Sequence, residues 1–135
     1  MSPLLEMTLR FLLAVALGAG IGYQRERAGK AAGVRTHILV SSGSALFTLA
    51  SIYGFGGAAV DISRVAAGVV VGIGFIGAGV ILRGQREKEV AGLTTAATIW
   101  ITAAVGLAAG AGMYLVSVIA TAVAAGVLML PKVRG

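Results

Sequence analysis

Cysteine is absent from this 135-residue chain. That excludes a disulfide framework, a thiolate metal site and a cysteine nucleophile. Histidine occurs once, at His37, so a transition-metal centre built on imidazoles is excluded as well, and no metal or other cofactor is expected. Acidic residues number five: Glu6, Glu26, Asp61, Glu87 and Glu89. None sits at the centre of an apolar run, where a proton relay or a cation site would place one. Charged residues make up 12% of the chain, against about 25% in soluble domains.

What fills the chain instead is 58% hydrophobic residues and 21 glycines, with a mean hydropathy of +0.96. A small soluble globule buries only about 60–70% of its surface, too little to hide so much apolar area. An ordinary soluble enzyme, a disordered chain and a coiled coil are all excluded, and the natural solvent is a lipid bilayer. The net charge of +6 and pI of 10.6 would also fit a nucleic-acid binder, but the placement of the charges points elsewhere.

Five apolar runs have spanning length, which is about 17–25 residues. They cover residues 4–23, 37–55, 65–82, 93–109 and 113–130. The last two form one run that as a single helix would be nearly twice the ~30 Å hydrocarbon core. It must turn, and Gly110-Ala111-Gly112 is the place; Pro131 stops the final helix. The runs are continuous rather than alternating, which excludes a β-barrel. The expected fold is an all-α integral membrane domain of five transmembrane helices occupying residues 1–135.

Lysine and arginine counts through the successive ends and loops run 1, 4, 1, 3, 0, 2. Basic loops stay in the cytoplasm. The series places the N-terminus outside, the loops around Arg25, Arg27, Lys30 and Arg35 and around Arg83, Arg86 and Lys88 inside, and the C-terminus inside. The basic pI is thereby explained by topology and head-group contact, and no nucleic-acid partner is expected. The first run is not a cleaved signal, because Glu6 and Arg10 precede its centre and the basic cluster follows it.

Shifted by 59 residues, the chain matches itself at nine positions from Gly18 to Ala50 without a gap. Gly18-Ala19-Gly20 meets Gly77-Ala78-Gly79, Arg27 meets Arg86, and Ala32, Gly33 and Thr36 meet Ala91, Gly92 and Thr95. This reads as a parallel internal repeat of helices one and two in helices three and four, with an axis along the membrane normal; convergence of two glycine-rich hairpins is the alternative.

Lipid does not drive helices together, so close approach depends on small residues. Candidate packing positions are Gly18 and Gly22 in the first helix, Gly68, Gly72, Gly74, Gly77 and Gly79 in the third, and Gly106 and Gly110 in the fourth. Gly68 and Gly72 form a GxxxG pair expected at or near a homodimer interface. The glycines of helix three serve either packing or a break in the helix. The segment Gly72–Gly77 also matches G-x-G-x-x-G, but it lies inside an apolar span rather than between strand and helix, so a dinucleotide site is rejected. Ser41, Ser44, Thr48 and Ser51 share one face of helix two, and Thr94, Thr98 and Thr102 one face of helix four, beside Thr95. These are interior polar faces, or hydroxyls bonded to their own carbonyls.

Around the first cytoplasmic hairpin, Arg25, Glu26 and Arg27 end helix one while Arg35, Thr36 and His37 begin helix two. A Glu26–Arg35 pair would fix the hairpin and satisfy free N–H groups at the helix start. The functional alternative is an anion or partner site made from Arg25, Arg35, His37 and the positive end of helix two. No catalytic set is found, because Asp61 and His37 fall on opposite sides.

Four motifs, Gly18–Arg27 (GAGIGYQRER), Ala32–His37 (AGVRTH), Gly72–Val80 (GIGFIGAGV) and Gly92–Trp100 (GLTTAATIW), resemble in order those of the MgtC/SapB membrane proteins. The resemblance covers roughly residues 7–112. It implies a bacterial inner-membrane protein of about five helices, connected with low-magnesium stress and, in virulence-associated members, with restraint of the F-type ATP synthase. Those members add a cytoplasmic domain after the last helix, and this chain resembles the short members that lack it. The expectation is a non-enzymatic regulator working through helix contacts with another membrane complex; a small oligomeric transporter or channel is the alternative.

Overall fold

The computed structural model describes residues 2–56, 61–84 and 89–130, with side chains for 2–56, 61–82 and 92–130. Its elements are α1 (Pro3–Arg27), α2 (Val34–Leu49) continued by a π-helical turn (Ala50–Gly54), α3 (Ser63–Gly84), α4 (Glu89–Gly110) and α5 (Tyr114–Leu128). There is no strand among the described residues. The five apolar runs become five helices. Four are long and apolar enough to cross a membrane. The fifth has 15 residues, about 22 Å of helix at 1.5 Å per residue.

The ends of the helices follow from local chemistry. Ser2 accepts the Leu5 N–H at 3.2 Å, with Pro3 in the first turn, so α1 starts on a hydroxyl cap. Asp61 does the same for α3 through the Ser63 N–H at 3.0 Å. Helix α1 closes with Lys30 N–H on the Arg25 carbonyl and Gly29 at φ +72°; α4 closes with Met113 N–H on the Ala108 carbonyl and Gly112 at φ +88°. Both are the six-to-one closures that need a left-handed residue, which glycine adopts freely. The turn expected at Gly110–Gly112 is therefore made by Gly112. Pro131 and the basic residues Arg86, Lys88, Lys132 and Arg134 lie outside the described residues.

Packing is inverted relative to a soluble protein. Many buried positions hold small or hydroxyl side chains, among them Ala14, Ala45, Ala109, Ser41, Ser44, Thr102 and Ser117, around a few aliphatic ones, Ile21, Ile99 and Val105. Large apolar groups face outward, with Val71 74% and Phe75 81% exposed. Only a lipid environment makes that distribution favourable.

Helices α2 and α4 form the centre, with α1 against both, α3 against α4 and lightly against α2, and α5 on α1 and α4. Glycine sets the closest approaches. A Cβ on Gly18 would lie 2.7 Å from the His37 carbonyl, and one on Gly22 2.7 Å from the Val34 Cα. Gly106 and Gly110 meet the Ser41 and Ala45 backbone in the same way. Among the described α3 glycines only Gly77 would bring a Cβ near a neighbour, the Ala96 Cβ at 3.6 Å; a Cβ on Gly68, Gly72, Gly74 or Gly79 would meet no described residue within 4 Å. They make no close helix contact among the described residues, and they do not break α3, which runs unbroken. In a bilayer every lost backbone hydrogen bond is costly, and no side chain here competes for one. The irregular turn falls instead at Ala50–Gly54.

The 59-residue offset reappears in these contacts. Gly18 faces His37, and Gly77 faces Ala96, the same pair of positions one repeat later. Ser44 donates to the carbonyl of Ala103, its own counterpart, at 2.7 Å. A residue touching its own counterpart is what a two-fold relation between halves produces on its axis.

Candidate functional site

The two hydroxyl faces lie inside the bundle and are closed. Ser41 Oγ donates to the Ala14 carbonyl at 2.8 Å and Ser44 Oγ to Ala103. Thr48, Thr98 and Thr102 each donate to the carbonyl four residues back, at 2.7–2.8 Å. Ser51 reaches the Ile62 carbonyl. Thr94 is exposed. These hydroxyls bind helix to helix, or their own helix, rather than lining a wet path.

Two polar clusters stand at opposite ends. The first contains the hairpin residues. Arg25, in the last turn of α1, is 3% exposed and donates through Nη2 to Thr95 Oγ1 of α4 at 2.9 Å. His37, in the first turn of α2, is 0% exposed and bonds the Gly33 carbonyl through Nδ1 at 2.8 Å. Because a carbonyl only accepts, Nδ1 carries the proton there. Arg25 Nε, His37 Nε2 and Gln24 Oε1 are buried without a partner. Gly22 makes room for His37, whose Cβ lies 3.1 Å from where a Gly22 Cβ would stand.

The Glu26–Arg35 ion pair does not form. Glu26 Oε1 instead accepts the Val34 N–H at 3.2 Å, capping α2, and Arg35 is exposed. A short carboxylate arm from the end of α1 reaches the first backbone amide of α2 before it reaches a side chain on the outer face of α2's first turn. Thr36 takes no part, and Arg27 Nη1 turns back to the Tyr23 hydroxyl at 3.2 Å. So the structure brings together Arg25, His37 and Thr95, and leaves Arg27, Arg35 and Thr36 outside.

The second cluster was not read from the sequence as a site. Arg10 Nη1 donates to the Gly110 carbonyl at 3.1 Å, capping the end of α4. Its Nη2 lies 3.6 Å from Glu6 Oε1, and its guanidinium stands over the Tyr53 ring at 5.5 Å. The Tyr114 hydroxyl donates to the other Glu6 oxygen, tying α5 to α1. Gly112 leaves room for this arginine, since a Cβ there would lie 2.9 Å from Arg10 Cζ. The legible signal was the i, i+4 spacing of Glu6 and Arg10 inside an apolar helix.

Between α2 and α3 runs an open groove of about 630 Å³, lined by Leu39, Gly43, Phe47, Gly68, Gly72 and Ile76 among others. Gly43, Gly68 and Gly72 have nothing within 4 Å. Among the described residues no group of three or more metal-ligating side chains occurs.

Comparison with known proteins gives a match to the model of the MgtC family over residues 11–134. "Putative magnesium transporter YhiD" of Escherichia coli K12 is 50% identical over 115 residues, covering 81% of this chain and 53% of that protein. "Protein SrpB" of Synechococcus elongatus is 47% identical over 127 residues, covering 87% and 70%. "Protein MgtC" of Salmonella typhimurium strain LT2 is 42% identical over 113 residues, covering 84% and 47%. The chain thus spans about half the length of the YhiD and MgtC relatives. No solved structure matches.

Proposed function

Because the chain belongs to the MgtC family, we propose that it is a non-enzymatic regulator in the bacterial inner membrane that acts through helix contacts with another membrane complex. The F-type ATP synthase is the partner that the family resemblance puts first, under low-magnesium or related stress. The observation that carries the reading is a contrast. The hydroxyl faces of α2 and α4 are closed by hydroxyl-to-carbonyl bonds, while the α2–α3 groove lies open with three glycines facing no described residue. Its place in the repeat supports a helix as occupant. Residues 65 and 69 of the groove correspond, 59 positions earlier, to Glu6 and Arg10, which contact α5 and the turn before it. The α2–α3 groove is therefore the counterpart of the seat that α5 takes on the other half, and α5 has no repeat-mate among the described helices. In the homodimer expected from sequence a second copy occupies it; a partner complex competes for the same glycines.

The name of the Escherichia coli relative favours a second reading, a small oligomeric transporter or channel. Purified protein in liposomes separates the two. The regulator reading expects magnesium flux no greater than in empty liposomes, and Gly68→Leu with Gly72→Leu to abolish cross-links from α3 to a neighbour while leaving the fold intact. Saturable flux would overturn it.

A further inference from the structure

A charge held inside a protein needs an opposite charge and a full set of hydrogen bonds. Among the described residues Arg25 has neither. Its one bond goes to a neutral hydroxyl, its Nε–H has no acceptor, and no carboxylate lies within ion-pair distance. Glu26, next in sequence, has turned its carboxylate to the start of α2. Across the helix pair His37 is enclosed with Nε2 unpartnered, and it packs against Gly22, one turn before Arg25 on α1. Orphaned donors and acceptors in a native interior call for an ion or an ordered water.

Position narrows the choice. Arg25 lies 15 residues beyond Arg10 on α1, about 22 Å at 1.5 Å per residue. Arg10 stands at the level of Tyr53 and Tyr114, the kind of aromatic belt that marks a membrane interface. With a hydrocarbon core of about 30 Å, Arg25 then reaches toward the opposite head-group level. Arg27, Lys30 and Arg35 are exposed at the same end. Basic pockets between helices at this depth hold anionic groups.

We propose that Arg25 and His37 form a binding site for one tetrahedral oxyanion at the junction of α1, α2 and α4, supplied by a lipid head-group phosphate or by a free ion. The Nε–H of Arg25 and its remaining Nη hydrogens donate to the anion. The Nδ1–H of His37 is committed to Gly33, so Nε2 faces an oxyanion only as N–H. Binding therefore takes up one proton. Among the described side chains the charged groups at this end are Arg25, Glu26, Arg27 and Lys30 on or just after α1 and Arg35 on α2; α4 contributes the uncharged Thr95. The anion supplies the counter-charge for imidazolium and guanidinium together, so proton and anion enter together. Affinity falls by up to about tenfold per pH unit where the ligand-free imidazole is neutral. The site serves regulator and transporter readings alike and does not rest on either.

The test uses the full chain in a neutral maltoside detergent. Thermal unfolding is followed with sodium sulfate, with sodium chloride matched for ionic strength, and with added phosphatidylglycerol or phosphatidylcholine. Sulfate does not titrate between pH 6 and 8. We expect it to raise the melting temperature above chloride, with half-saturation at least about tenfold lower at pH 6 than at pH 8. Arg25→Gln should abolish the response, Arg25→Lys weaken it, His37→Gln remove its pH dependence and Arg35→Gln leave it intact. Helicity and elution volume establish that each variant is folded. Stabilisation by phosphatidylglycerol at far lower concentration than sulfate assigns the site to a head group; stabilisation by sulfate alone assigns it to a free ion; either supports the proposal. If sulfate does no more than chloride and phosphatidylglycerol no more than phosphatidylcholine, the orphaned atoms bind water only and the proposal fails. It fails equally if folded Arg25→Gln or Arg25→Lys responds as fully as the parent.

Discussion

Replacing Gly106 by alanine should be among the most damaging single-carbon changes available in this molecule, and the same change at Gly74 should be harmless. At Gly106 the added Cβ would fall inside contact distance of the Ser41 carbonyl oxygen, and 2.8 and 2.9 Å from the Ser41 carbonyl carbon and Cα. All three are backbone atoms of α2, so no side chain can swing aside. Helices α2 and α4 must part, and overpacking of this kind costs about 1–3 kcal/mol. The Ser44–Ala103 bond spans the same interface. Stretching it adds about 0.6 kcal/mol, the average for polar contacts between membrane helices. Against this stands the gain in helix propensity from glycine to alanine, about 0.8–1.0 kcal/mol. The net expectation is a loss of about 1–3 kcal/mol. At Gly74 nothing lies within 4 Å, so only the propensity gain remains and the variant should be unchanged or slightly more stable. Reversible unfolding in mixed micelles with rising fraction of dodecyl sulfate measures both. Equal stability of Gly106→Ala and Gly74→Ala would refute the argument that α2 and α4 approach to backbone contact.

Glu26→Gln should cost about 0.5–1 kcal/mol, the worth of a capping interaction, and Arg35→Gln almost nothing; in a double-mutant cycle the two should add, and a coupling above about 0.5 kcal/mol would restore the ion pair. Arg10→Gln removes a cap from α4 and the counter-charge of Glu6, so α5 should become more accessible to proteolysis near Tyr114, while Tyr114→Phe should show the same effect more weakly; unchanged digestion kinetics in both would show that the cluster does not hold α5. Single cysteines at Ser2 should label from outside intact cells and those at Ala31 and Gln85 should not, and outside labelling at Ala31 would reverse the orientation read from the basic loops.

The number and placement of the helices were legible because spanning length is a property of composition, and the left-handed turn at Gly112 because the long run from Leu93 to Leu130 had to reverse. Gly18 and Gly22 were legible because four-residue spacing alone puts them on one face. The α3 glycines share that spacing but, apart from Gly77, have no close neighbour among the described residues, since spacing names a face and not what lies opposite. Glu26 was seen as fixing the hairpin, yet its partner proved to be a backbone amide, which leaves no mark in a sequence. The Glu6–Tyr114 contact joins residues 108 apart, and no local pattern reports on such a pairing. Arg25 was legible as a hairpin cation and a candidate anion ligand beside His37, but its burial was not, because that depends on the Thr95 hydroxyl of α4 being carried to the same level.

The inverted packing has a thermal consequence. Soluble domains owe the curvature of their stability to apolar surface meeting water on unfolding, about 12–15 cal/mol/K per residue of heat-capacity increment. Here alanine and hydroxyl side chains occupy much of the interior, with few large aliphatic groups such as Ile21 and Ile99 among them, and most bulky groups already face outward. Parting these helices inside a bilayer exchanges van der Waals contact with protein for contact with acyl chains and wets almost nothing. The enthalpy of separation should hardly change with temperature. The stability curve becomes close to a straight line with no maximum near room temperature, and cooling, which weakens a soluble core, leaves this bundle's cohesion intact.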